Sequence, residues 1–181
     1  GKRVVIIGLG PIGCMMIDLA RIMGATQVIG VQRSALRMAI ARSYGADVYI
    51  DPAEEDVVAR CLAETGGEGP DIVITAAASV EAHEQAIEMV GHRGYVNLFG
   101  GLAKGTRPMS ILSNTIHYKE CFVTGSHGST PRQHELAVDL LAKGLVRVAP
   151  LMTHHFPLTE INAAFVAMEA RQGMKVMLQH H

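Results

Sequence analysis

The hydrophobic pattern alternates between two kinds of segment. Short, nearly continuous apolar runs rich in β-branched residues occur at RVVIIG (3–8), QVIGV (27–31), DVYI (47–50), DIVITA (71–76), YVNLFG (95–100) and CFVTGS (121–126). Runs of that length without a polar face predict strands buried on both sides. Between them lie amphipathic stretches with helical spacing at 12–24, 34–44, 54–65 and 80–90, and a shorter helix is expected near 110–117. Ser34 stands where an N-cap belongs and Gly24 where a helix ends.

Helical links force successive strands to run parallel, with right-handed crossovers. The pattern therefore predicts an α/β fold, a doubly wound parallel sheet of six strands with helices on both faces. Its first and fourth strands should be neighbours at the switch point. A helix at 131–143, an extended THHF (153–156), a helix at 159–171 and a strand KVML (175–178) exceed what six strands require. They predict a C-terminal helix-strand extension over 127–179, beyond a core over 1–126. The extension either packs on that core or belongs to a neighbour.

GLGPIG places Gly8, Gly10 and Gly13 in the G-x-G-x-x-G spacing, after the first strand and at the start of a helix. Gly8 permits the tight turn, Gly10 lets a pyrophosphate approach the backbone, and Gly13 lets the helix pack on the sheet. Pro11 gives up an N–H that the helix does not need. The remaining amides and the helix dipole face the phosphates. In this context the motif predicts a Rossmann-type dinucleotide site. A phosphate-hydrolysing P-loop is excluded because no GK[ST] follows.

An NAD site expects an acid near the end of the second strand, where this chain reads Val31, Gln32, Arg33. A carboxylate there binds the ribose hydroxyls and repels the extra phosphate of NADP. Gln32 still bonds a hydroxyl but carries no charge. Arg33, Ser34 and Arg37 together suit a 2′-phosphate. NADP is expected ahead of NAD, with NAD or dual use left open.

Composition changes this picture little. The 181 residues are 49% hydrophobic and 18% charged, with a net charge of −1, which gives no bulk reason to expect nucleic acid or an anionic membrane. No apolar run approaches the roughly 18 residues of a membrane span. Cys14, Cys61 and Cys121 are odd in number and lack CxxC spacing. They read as reduced core residues of a cytoplasmic protein. The chain opens at Gly1 without methionine and closes on His180 and His181, which suits an excised domain with a tag remnant.

The ordered set VVIIGLGPIG, RSALRMAIARSYGAD, PDIVITAAAS, GYVNLFG and PLMTHHFPLTEINAAFVAMEARQGMKVML resembles the coenzyme-binding part of zinc-dependent medium-chain alcohol dehydrogenases. The sorbitol, polyol and threonine dehydrogenase branch is the most similar. The resemblance implies that Gly8, Gly10, Pro11, Ile12 and Gly13 form the pyrophosphate turn. Gln32 replaces the ribose-binding acid, and Arg37 matches a basic residue that NAD-using members also carry. It further implies that Ala76, Ala77 and Ser79 wall the site, and that Phe99, Gly100 and Gly101 meet the nicotinamide side. A second nicotinamide-side segment runs from Phe122 to Gly125, and Lys175 reaches the pyrophosphate.

By the same resemblance, the activity is hydride transfer between an alcohol or polyol and nicotinamide, aided by a zinc whose ligands lie in a separate domain absent from this chain. The chain alone should bind a nucleotide without turning over substrate. A homodimer is implied through the edge strand at 121–126. The alternative is a non-catalytic dinucleotide-binding module acting as a regulator or sensor.

Several other features carry less. His154 and His155 are adjacent in an extended segment and point to opposite faces, so they do not share a metal. His117, Cys121 and His127 have only loose ligand spacing. Glu54, Glu55 and Asp56 are expected to begin a helix, where negative charge suits the dipole. The ten methionines, among them Met15, Met16 and Met23, read as core filler.

Overall fold

The computed structural model describes residues 1–180. Strands β1 (Lys2–Ile7), β2 (Ala25–Val31), β3 (Val48–Ile50), β4 (Ile72–Thr75), β5 (Tyr95–Leu98) and β6 (Phe122–Gly125) form one sheet in the order β3-β2-β1-β4-β5-β6. Every pairing is parallel, and Val5 of β1 stands between Ile29 and Val73. The first and fourth strands are neighbours, as the crossover rule requires. Between them run α1 (Pro11–Ile22), α2 (Ala35–Ala41), α3 (Val57–Glu64), α4 (Val80–Met89) and α5 (Ser113–Lys119).

The apolar runs are continuous because both sheet faces are covered. Val4 and Ile6 enter a cluster with Leu9, Cys14, Ile17 and Tyr44 on the α1 face. Val5 and Ile7 enter a second cluster with Val57, Cys61, Ala86 and Ile87 on the α3–α4 face. Alternate residues of one strand thus feed opposite cores, each buried Ile contributing about 2 kcal/mol. All three cysteines are buried and free.

Ser34 caps α2 by accepting the Arg37 N–H at 3.4 Å. The helix expected over 54–65 begins instead at Val57, because Asp56 is its cap and accepts the Ala59 N–H at 3.0 Å. Glu54 and Glu55 lie in the preceding turn, where both N–H groups donate to the Asp51 carbonyl. Met23, expected in the core, is 84% exposed because it falls just past the end of α1.

The extension holds α6 (Pro131–Ala142), β7 (Met152–Pro157), α7 (Ile161–Glu169) and β8 (Lys175–Gln179). β7 and β8 pair in parallel as a separate two-stranded sheet. Thr130 and Gln133 cap α6 reciprocally, yet α6 buries no residue. The extension docks on the α1 face through buried Leu151 and Met174. Beside them Arg147 grips the buried Asp18, with Nη2 to Oδ1 at 2.6 Å, and the Tyr44 hydroxyl donates to the Arg147 carbonyl at 2.7 Å. His181 of the expected tag remnant lies outside the described residues. No helix among them is long and apolar enough to cross a membrane.

Candidate functional site

The site grows from the turn after β1. Gly8 has φ +99°, a left-handed conformation that favours glycine, and its N–H donates to the Val31 carbonyl at 2.8 Å. A Cβ on Gly13 would stand 2.0 Å from the Gly8 carbonyl oxygen, so α1 reaches the turn only with glycine there. A Cβ on Gly10 would meet nothing nearer than Arg37 Nη1 at 3.8 Å, so that flank is open. Gly10 caps α1 without any side-chain bond, and Pro11 occupies the first turn. The N–H groups of Ile12 and Gly13 then lack intrahelical acceptors and carry the positive end of the helix dipole.

This turn borders a hollow of about 910 Å³ at the carboxyl ends of the central strands. Gly8, Gly10, Gln32, Arg33, Ser34, Arg37, Ala76, Ala77 and Ser79, all expected in one site, meet on its walls. Pro11, Ile12 and Gly13 are not among its lining residues. Phe99, Gly100 and Gly101 also stand outside it, although Gly100 abuts the wall. Its N–H donates to the Thr75 carbonyl at 2.7 Å, and a Cβ on it would lie 2.7 Å from the Ala77 carbonyl. On its other side, His83 Nε2 lies 3.0 Å from the Gly100 carbonyl oxygen. Lys175 opens β8, is exposed, and does not line the hollow.

Four polar or ring-bearing lining residues escaped the sequence reading: Pro52, Glu81, Gln85 and Arg171. Arg171 follows α7 with φ +52°, at a position where glycine is usual. A basic residue at a helix end was the only local signal for it. Glu81 and Gln85 carried none, because only the packing of α4 beside β4 brings them here.

The hollow is electropositive. Among the described residues Arg33, Arg37 and Arg171 meet no carboxylate. By contrast, Arg3, Arg21, Arg60, Arg93, Arg107 and Arg147 each form an ion pair. Gln32 Oε1 accepts the Ser34 N–H at 3.1 Å and so tightens its own loop. Glu81 is held below the usual carboxylate range, chiefly by the Ser79 hydroxyl that donates to it at 2.7 Å. Cys14, behind the turn, is pushed up to about 12, first by burial and then by Asp18, so it is no nucleophile. A glycine cradle, an uncapped helix start and unpaired arginines fit a dinucleotide's phosphates. Among the described residues, no three His, Cys, Asp or Glu side chains gather to hold a metal.

Comparison with known proteins agrees with this geometry. A family model described as zinc-binding dehydrogenase matches residues 11–143. A zinc-type alcohol dehydrogenase-like protein of Escherichia coli is 33% identical over 183 residues, covering 99% of this chain and 50% of its own length. An L-threonine 3-dehydrogenase of Bacillus licheniformis is 32% identical over 180 residues, covering 98% of this chain and 51% of its own. Among solved structures, a zinc-binding dehydrogenase of Sinorhizobium meliloti described as bound to NADP superposes with a TM-score of 0.88. It is 31% identical and covers 98% of this chain and 52% of its own. An alcohol dehydrogenase of Thermotoga maritima gives 0.90 at 29% identity, covering 98% and 50%. The chain spans about half the length of these relatives.

Proposed function

Because the chain belongs to the zinc-binding dehydrogenase family, of which it is an NAD(P)-binding Rossmann domain, we propose that its cleft prefers NADP and serves hydride exchange with an alcohol or polyol. Gly8, Gly10 and the start of α1 at Pro11, Ile12 and Gly13 take the pyrophosphate. Arg37 leans over Gly10 and assists them, and Arg171 and Lys175 add charge from the extension. Gln32, Arg33 and Ser34 take the adenosine ribose and its 2′-phosphate. Ala76, Ala77 and Ser79 form the facing wall, and Phe99, Gly100 and Gly101 meet the nicotinamide side.

When bound, the nicotinamide supplies the hydride acceptor or donor, and the family's zinc, in the proposed full protein, polarises the substrate oxygen. The domain division at residue 126, the catalytic zinc outside these residues and a cytoplasmic location belong to the same reading. Localisation of the tagged full-length protein tests the last of these.

The observation that carries the NADP preference is Arg33. It is exposed and, among the described residues, has no carboxylate partner; it stands beside Gln32 where an NAD site would place its acid. The NADP found with the Sinorhizobium meliloti relative is consistent with it. Titration with NADPH and NADH, followed by nicotinamide fluorescence, tests the reading. Arg33→Ala should weaken NADPH about 10-fold or more and leave NADH nearly unchanged. An unaltered affinity ratio would remove Arg33 from the site.

The edge strand β6 is proposed to pair with a second copy. Phe122 and Tyr95 stack at 4.7 Å on this edge, each about half exposed, and no Lys or Pro blunts it between Cys121 and Ser126. Sedimentation should show a dimer, and a monomer at high concentration would count against this pairing.

A further inference from the structure

Resting on the reading of the cleft as a dinucleotide site, we infer that Glu81 and Gln85 recognise the exocyclic amine of the adenine base. The hollow contains no residue of the Phe99–Gly101 segment, so the part of a dinucleotide it accommodates is the adenosine with its phosphates. The loop after β2 supplies one wall through Gln32, Arg33 and Ser34. Pro52, Ala77, Ala78 and Ala82 supply apolar surface for the flat faces of a base. What remains is the polar edge of that base, and the two side chains left on the α4 wall are Glu81 and Gln85.

They lie four residues apart on α4 and therefore on one face of it. The Glu81 carboxylate is already fixed in direction. Ser79 Oγ–H donates to its Oε2 at 2.7 Å, and Arg107 Nη2 donates to its Oε1 at 3.3 Å. The Glu81 backbone N–H bears on the carboxylate as well, so of its roughly four acceptor positions about one remains unused. The Gln85 side-chain amide, half-buried, has no hydrogen-bond partner among the described residues.

An ionised carboxylate only accepts, so Glu81 demands a donor, while the Gln85 amide can accept from one as well. The amine of adenine provides two N–H groups. Hypoxanthine presents a carbonyl oxygen at the same place, which Glu81 repels. The carboxylate missing at the end of β2 thus has a counterpart on the opposite wall, where it reads the base rather than the ribose.

The test compares NADPH with its hypoxanthine analogue, reduced deamino-NADP, on the 181-residue chain by nicotinamide fluorescence. The unsubstituted chain should bind the adenine form about 10-fold or more tightly. Glu81→Gln, whose amide can also donate, should shrink that preference to about 3-fold or less. Gln85→Leu disturbs no ion pair and should weaken the adenine form about 3-fold or more, with an unchanged Tm confirming its fold. Equal binding of the two bases by the unsubstituted chain overturns the inference, as does a preference that survives Glu81→Gln or an adenine affinity that Gln85→Leu leaves unchanged. Binding of neither dinucleotide would instead defeat the parent reading of the cleft.

Discussion

The six-stranded core and the segment beyond residue 126 are held by different physics. In the core, Val5, Ile6, Val28 and Val73 are fully buried between helices on both faces. In the extension, α6 buries nothing, and α7 buries only Ala164 and Ala167. Leu136, Val138, Phe165 and Val166 are all more than half exposed. The extension stays in place through a small apolar plug, Leu151 and Met174, and through the polar grip of Arg147 on Asp18. Nonspecific burial can build a sheet, whereas a segment with few buried side chains depends on a directed contact at a defined point.

The sharpest break of that contrast is a pair of substitutions. Ile6→Ala should lower global stability by about 4 kcal/mol through lost burial and a cavity, seen as a fall in the denaturation midpoint. Arg147→Ala leaves Asp18 buried without its cation. Such a loss costs about 3–5 kcal/mol for a fully buried pair, and here about 2 kcal/mol, because the guanidinium is 45% exposed. Its effect should be regional. Hydrogen exchange should rise across 145–179 while β1 and β4 keep their protection. Equal loss of protection in core and extension would show that the two regions unfold as one unit.

Acid should produce the smaller, shared effect. Partial burial pushes Asp47 up, but the Val28 N–H and Arg21 outweigh it and hold the group below its ordinary value. Asp71 is likewise lowered against burial, by the Arg3 N–H and Lys2. A depressed carboxylate contributes stability above its unfolded pKa, about 3.8 to 4, and loses it as pH falls through the folded value. Melting temperature should therefore be flat from about pH 8 to 5 and fall below about pH 4. Both groups belong to the core, so Asp47→Asn should reduce the acid sensitivity of the core without altering that of the extension.

Much of the fold was readable along the chain. Apolar runs of strand length separated by helical spacing leave a parallel, doubly wound sheet as the solution, and the predicted neighbours β1 and β4 do pair. The start of α3 was misplaced because Glu54, Glu55 and Asp56 all suit a helix N-terminus. Closure of a turn on the Asp51 carbonyl made Asp56 the cap. Met23 was misread because helical periodicity does not say where the last turn stops. At the turn after β1, the conformational roles of Gly8 and Gly13 were legible because they are local, a turn and a close helix contact. Arg171, Glu81, Gln85 and Pro52 were not, because nothing near them in sequence marks the hollow they share.

By itself, then, the sequence determined the alternation of strands and helices, the glycine turn, and the absence of an acid at Gln32. These depend on backbone sterics and on a period of a few residues. Only the tertiary structure decided which arginines meet no carboxylate among the described residues and that the extension is pinned through Asp18. It also decided that a carboxylate from α4 lines the same hollow as the loop after β2. Those outcomes depend on distances between residues that are tens of positions apart, and local propensity carries no information about them.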